Sequence, residues 1–146
     1  MAYVETSSLA ALLGVKPRRD RHLDSLDLSS EVGKGLSVSA VNRLCRLIAP
    51  DESSLRYRIV PKATLARRQR AGGRLHPEES NRLARLARVW AFAMDVWKSE
   101  KVARRFLGEP HPLLRNRVPR ELAIESDIGA RAVEDLLGRL KYGSAV

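Results

Sequence analysis

The segment from Pro77 to about Trp97 constrains this chain more than any other. Pro77 followed by Glu78 and Glu79 is a strong helix start. Proline lacks an N–H that the first turn leaves unpaired anyway, and the two carboxylates face the positive end of the helix dipole. Leu83, Leu86, Ala87, Trp90, Met94 and Trp97 then recur at helical spacing, and Val89, Phe92, Ala93 and Val96 form a second stripe beside them. Arg82, Arg85 and Arg88 lie on the polar side of the N-terminal half, whereas the C-terminal half is apolar nearly all round. A helix apolar on most faces must be covered on most faces. The rest of the chain can do this by wrapping a central core helix, or a homodimer contact or second protein can do part of it.

The remaining segments read as further, shorter helices, and no strand-like alternation stands out, so the fold class is all-α. Ser8-Leu-Ala-Ala-Leu-Leu-Gly14 suggests one short helix, capped by Ser7 or Ser8 and ended by Gly14. Lys16 to His22 is polar and aperiodic, as in a linker. Leu23, Leu26 and Leu28 could pack one more turn before Gly33 and Gly35 break the chain. Ser37 or Ser39 caps a helix carrying Val38, Val41, Leu44, Cys45, Leu47 and Ile48, which Pro50 stops. A short helix through Leu55 and Ile59 follows. Pro61 then opens a helix anchored by Leu65 with help from Ala66, and Gly72-Gly73 closes it. Beyond Lys98 three short helices are expected: Lys101–Leu107 ended by Gly108, Pro119–Ile124, and Ala130–Leu140. The last has Ala132, Val133, Leu136, Leu137 and Leu140 as its apolar face.

Charge is distributed unevenly over this helical pattern. The chain has 146 residues, 27 basic and 17 acidic, for a net charge of +10 and a pI near 10.6. From Ser53 to Pro77 there are seven basic residues and no acid. Such an excess favours a polyanionic partner. The basic residues fall on two helices joined by a tight turn, the helix-turn-helix arrangement, which places the first turns of its second helix in the major groove. Lys62, Thr64, Arg67 and Arg68 lie on that second helix. An arginine fork can meet guanine O6 and N7 together. Arg56, Arg58 and Arg70 suit phosphate neutralisation, which gives affinity without sequence information. The basic stretch lacks the interleaved stacking aromatics of single-strand RNA binders.

Other classes find little footing. The single cysteine, Cys45, rules out an internal disulfide and falls in the apolar phase of its helix. His22, His76 and His111 sit in three separate loop-like places without metal-ligand spacing, and His76 reads as a cap substitute. Glu78 and Glu79, like Glu134 and Asp135, read as surface or helix-dipole charges. No P-loop, dinucleotide fingerprint or nucleophile elbow occurs. No catalytic residue, metal ligand or cofactor is therefore expected. No apolar run spans a bilayer and no secretory signal is visible, so a soluble cytoplasmic protein is the plain expectation.

Five short motifs occur in a familiar order: Gly35-Leu-Ser-Val-Ser-Ala-Val…Leu44, Thr64-Leu-Ala-Arg-Arg68, Arg74-Leu-His-Pro-Glu-Glu-Ser80, Arg82-Leu-Ala-Arg-Leu-Ala-Arg88 and Leu136-Leu-Gly-Arg-Leu-Lys-Tyr-Gly143. From about Leu36 onward the chain resembles antitoxins of the Xre/MbcA/ParS type, the partners of RES-domain toxins. The resemblance implies an N-terminal Xre (Cro/CI-like) helix-turn-helix domain followed by a small helical toxin-binding domain. It divides the chain into an extension with a short helix (1–35), a DNA-binding domain (36–76), and a toxin-binding and dimerisation domain with a C-terminal tail (77–146). It implies operator DNA, an NAD+-consuming RES toxin and a second copy of the chain as partners. Thr64, Arg67 and Arg68 match the family's recognition-helix motif; Arg139, Leu140, Lys141, Tyr142 and Gly143 fall in its terminal motif, the expected toxin contact. Where the family usually carries Gly and then Ser-Pro-Arg before the recognition helix, this chain has Ile59-Val-Pro-Lys-Ala63. The rival reading is a stand-alone helix-turn-helix repressor with a C-terminal dimerisation domain.

Overall fold

A computed structural model describes residues 5–17 and 23–143. Among them are nine α-helices: α1 (Thr6–Leu13), α2 (Ser25–Lys34), α3 (Val38–Ile48), α4 (Arg56–Ile59), α5 (Lys62–Ala71), α6 (Pro77–Trp97), α7 (Glu100–Gly108), α8 (Pro119–Glu125) and α9 (Asp127–Tyr142). A 3-10 turn, Ser53–Leu55, leads into α4, and another, Pro112–Leu114, links α7 to α8. Two isolated β-bridges, Ser37 to Arg74 and His111 to Arg117, are the extended pairings among the described residues.

Helix α6 is the axis of the molecule. It packs against α1 to α4 on one side and against α7, α8 and α9 on the other. Leu83, Leu86, Ala87, Val89, Phe92 and Ala93 have at most 1% of their surface exposed, whereas Met94, Val96 and Trp97 are half-buried. The chain's own helices therefore cover this segment, and its burial requires no second protein. The helix starts as its sequence indicates. Pro77 fills the first position, and the Glu79 carboxylate accepts the His76 backbone N–H at 2.9 Å.

The three arginines of α6 do not form a solvated face. Arg82 donates to the Ile59 carbonyl at the end of α4 (3.2 Å), and Arg85 donates to the Ala123 and Ile124 carbonyls at the end of α8 (2.8 and 2.5 Å). Arg88 pairs with Glu134 and Asp127 of α9. Arg104 of α7 repeats the pattern on the Leu47 carbonyl at the end of α3 (2.7 Å). The last carbonyls of a helix lack intrahelical donors and carry the negative end of its dipole, so a guanidinium satisfies both needs. Burial pulls the Arg85 guanidinium below its ordinary value, an effect that Asp127 opposes.

Several local expectations change. Two helices precede Leu36, not one, and both pack on α6. Helix α1 begins at Thr6 after Glu5, not at Ser7 or Ser8. Gly33 lies inside α2, and Leu26 is 78% exposed while Leu28 is buried. Gly35, by contrast, does break the chain: its φ is +101°, and a Cβ there would lie 2.4 Å from the Leu75 carbonyl oxygen. At this crossing Leu75 donates to Leu36 O (2.8 Å) and Leu36 to the buried Ser80 hydroxyl (2.9 Å), which joins the loop before α3 to the loop after α5. Ser37 is the cap of α3. Gly108 is helical, and the final helix is a long one that starts at Asp127 after its Ser126 cap. Gly129 falls inside it because α8 crosses there; a Cβ would meet Leu122 O at 2.2 Å. Ala66, Ala132 and Leu140, expected in the core, are exposed. His22 lies outside the described residues.

Candidate DNA-binding and toxin-binding surfaces

The turn Val60-Pro61 joins α4 to α5, which gives the two-helix geometry expected of the basic stretch. Leu65 is 2% exposed and anchors α5 to the core. At helical spacing from that anchor, Ala63, Ala66, Arg67 and Arg70 share the outward face, with Lys62 and Gln69 beside them, all exposed; Thr64 is half-buried. No acid lies on this helix.

The seven expected DNA-binding residues separate into two groups. Lys62, Arg67 and Arg70 are exposed on α5. Arg67 and Arg70 have no ion-pair partner among the described residues, and Lys62 lies 5.7 Å from the Tyr57 ring centroid. Thr64 stands at their edge. The other three are engaged by the protein itself. Arg68 pairs with Glu79, the two side chains being 12% and 10% exposed. Arg56 lies over Tyr57 (4.9 Å), donates to its hydroxyl (2.9 Å) and reaches Asn42 Oδ1 (3.4 Å). Arg58 pairs with Glu121 of α8 at 2.8 Å. Their positions in a basic run gave no sign of this, because Asn42, Glu79 and Glu121 are distant in sequence. Gln69 was overlooked. It is exposed on α5, and the glutamine amide can pair with adenine N6 and N7; its place in the 62–71 helix was the available signal.

The C-terminal surface divides in a similar way. Arg139, Leu140, Tyr142 and Gly143 are exposed at the end of α9, with Tyr142 at 59%. Lys141 turns back to α6, where the Asp95 carboxylate holds it; Lys98 reaches the same carboxylate at 2.9 Å. Hydrogen bonds from Lys141, then Lys98, hold the Asp95 carboxyl below its ordinary range, and the Asp95 bond raises the Lys141 ammonium above its own.

Among the described residues the cysteine and the histidines stand apart from both surfaces or act locally. Burial pushes the Cys45 thiol up to about 12, against the opposing pull of Arg56 and Arg120. His111 accepts the Leu113 N–H at 3.1 Å and packs on Phe106. Among the described residues no three His, Cys, Asp or Glu side chains gather as metal ligands, and no helix is long and apolar enough to cross a membrane.

An exposed, acid-free basic helix on a helix-turn-helix, joined through one long helix to a second helical unit, defines a two-part all-α protein with a DNA-binding-type domain. Comparison with known proteins agrees part by part. Residues 27–88 match the antitoxin Xre-like helix-turn-helix domain, and residues 92–143 match the antitoxin Xre/MbcA/ParS C-terminal toxin-binding domain. The "Antitoxin Xre" of Yersinia enterocolitica is 35% identical over 118 residues, covering 80% of this chain and 79% of the relative. The chain belongs to the Xre/MbcA/ParS antitoxin family. The two matched segments meet inside α6, so one continuous helix carries both.

Proposed function

We propose that this protein neutralises an NAD+-consuming RES-domain toxin in the cytoplasm and represses its own operon. Toxin neutralisation is steric: the end of α9 and its tail, Arg139 to Gly143, block the entry to the toxin's NAD+ cleft. The observation that carries this reading is the bracing of the last turn of α9 by Asp95 through Lys141, which leaves Arg139 and Tyr142 displayed beside it. A presented element held in one geometry binds with less ordering cost than a floppy one.

In operator binding, Lys62, Thr64, Arg67 and Arg70 are the proposed contacts. In this reading Arg67 meets a base edge and Arg70 a phosphate. A homodimer would present two copies of α5 to a pseudo-palindromic site. Arg68 pairs with Glu79 beneath the helix, whereas Arg56 ties α4 to α3 and Arg58 ties it to α8.

Co-expression with the product of the neighbouring gene, which this reading requires to be a RES-domain protein, tests the neutralisation. The full chain should restore growth, and a chain truncated after Leu137 that retains its helical circular dichroism should not. Full protection by the truncated chain would sink the tail mechanism. If the full chain gives no protection and represses transcription alone, the stand-alone repressor is the correct reading.

A further inference from the structure

Five of the six large hydrophobic side chains exposed among the described residues (Val102, Leu113, Ile128, Leu140 and Tyr142) lie within the segment matched as toxin-binding. Ile128 is the most exposed at 81%, and it lies in the first turn of α9, at the opposite end from the tail. A single exposed isoleucine needs no explanation. Its register does. At 100° per residue, Ile128, Ala132, Asp135, Arg139 and Tyr142 fall within about 80° of arc on the helix surface. All five are exposed. Lys141 lies off this strip, on the side turned to Asp95. The terminal motif is therefore split: Lys141 braces α9, while Arg139 and Tyr142 continue a strip that starts at Ile128. Fourteen residues separate its ends, about 21 Å at 1.5 Å per residue.

We infer that this strip is the docking surface for the toxin, with Ile128 as an apolar anchor remote from the tail. The inference rests on the neutralisation reading above and extends it from a tail contact to a helix laid along a groove. The matching groove has an apolar pocket for Ile128 at one end and a carboxylate for Arg139 near the other. Recognition of a helix by spaced apolar anchors in a groove is a recurrent mode, with most of the energy in a few side chains.

The charges on the strip argue against a second copy of this chain as the occupant. Antiparallel pairing of two α9 strips about their midpoint sets Asp135 against Asp135 and Arg131 against Arg139. Parallel pairing about a two-fold axis sets every residue against itself. Each register juxtaposes like charges, which suppresses that partner.

The experiment uses the whole chain and the product of the neighbouring gene, which the neutralisation reading requires to be a RES-domain protein, inactivated in its active site, with affinity read by calorimetry. Ile128→Arg should weaken binding at least tenfold, leave the melting temperature and the operator gel shift unchanged, and leave the elution volume of the free antitoxin unchanged. Ile128→Leu should bind as the wild type does. Wild-type affinity in Ile128→Arg overturns the anchor while leaving the tail mechanism intact. A changed elution volume with unchanged toxin affinity also overturns it, because the strip would then join two antitoxin copies. Absence of binding by the wild type itself overturns the neutralisation reading together with the anchor.

Discussion

Replacing Arg68 tests whether the recognition helix is read correctly, because family position and structure assign that side chain different roles. Arg68 sits in the matched recognition motif, yet it is 12% exposed and paired with Glu79, itself 10% exposed, while Glu79 also accepts the His76 N–H. Removing one member of a buried pair leaves the other charged, desolvated and unpaired, which costs about 3–5 kcal/mol. Slight exposure of both side chains favours the lower figure, so Arg68→Met should cost about 3 kcal/mol. At roughly 3 °C per kcal/mol for a chain of this size, the midpoint should fall about 9 °C. Replacing both partners by apolar residues removes the stranded charge. Arg68→Met with Glu79→Leu should therefore recover most of the loss and leave about 1 kcal/mol for the lost helix cap. Thermal melts of the two single variants and the double variant provide the cycle. Operator binding, measured below each variant's transition, should keep the wild-type dependence on salt. An Arg68→Met protein that melts normally but binds operator with a shallower salt slope would refute the reasoning and return Arg68 to the DNA.

Arg70→Ala should weaken operator binding and reduce the slope of log K against log salt by about 0.9, the signature of one lost phosphate contact; an unchanged slope in filter binding would remove Arg70 from the interface. The native Cys45 thiol should resist iodoacetamide at pH 8, because burial pushes its pKa up to about 12, and should react once denaturant is added; mass spectrometry reads both states. The Asp95 contribution has its pKa lowered on folding, so it is complete above the ordinary value of 3.8 and lost as pH falls below it. The Lys141 contribution has its pKa raised, so it is complete below 10.5 and lost as pH rises beyond that value. The bracing of α9 should hence persist throughout neutral pH, and NMR titration of the Asp95 carboxyl in Lys141→Ala should show its pKa moving back toward 3.8.

What could be read from the sequence, and what could not, follows from the range of the interactions involved. Pro77 with its two glutamates, Gly72 after α5 and Ser37 before α3 act within a turn of their own position, so composition and spacing sufficed. Leu65 and the stripes of α6 follow from helical periodicity in the same way. Ala66 and Ala132 did not, because alanine is indifferent to burial and periodicity alone cannot decide which edge of a stripe a neighbour covers. Gly129 looked like a helix boundary, since glycine weakens a helix interior; in the fold it is required there by the Leu122 backbone. The missed features depend on partners distant along the chain.

The arginines illustrate this best, and they also change what the positive charge means. A net charge of +10 suggested a surface made for polyanions. Yet Arg82, Arg85 and Arg104 terminate helices α4, α8 and α3, and Arg58 and Arg88 bridge to α8 and α9. The guanidinium suits this use because it stays charged and offers several donors to carbonyls in a fixed geometry. A lysine replacement at Arg85 would keep the charge and lose the fork that meets Ala123 and Ile124 together. Of the seven basic residues between Ser53 and Pro77, Lys62, Arg67 and Arg70 stay exposed together on α5; under the proposed reading, substitution there should affect the operator without disturbing the toxin surface. Arg58, Arg85, Arg88 and Arg104 join the two matched segments, so their loss should weaken both proposed functions together through the fold.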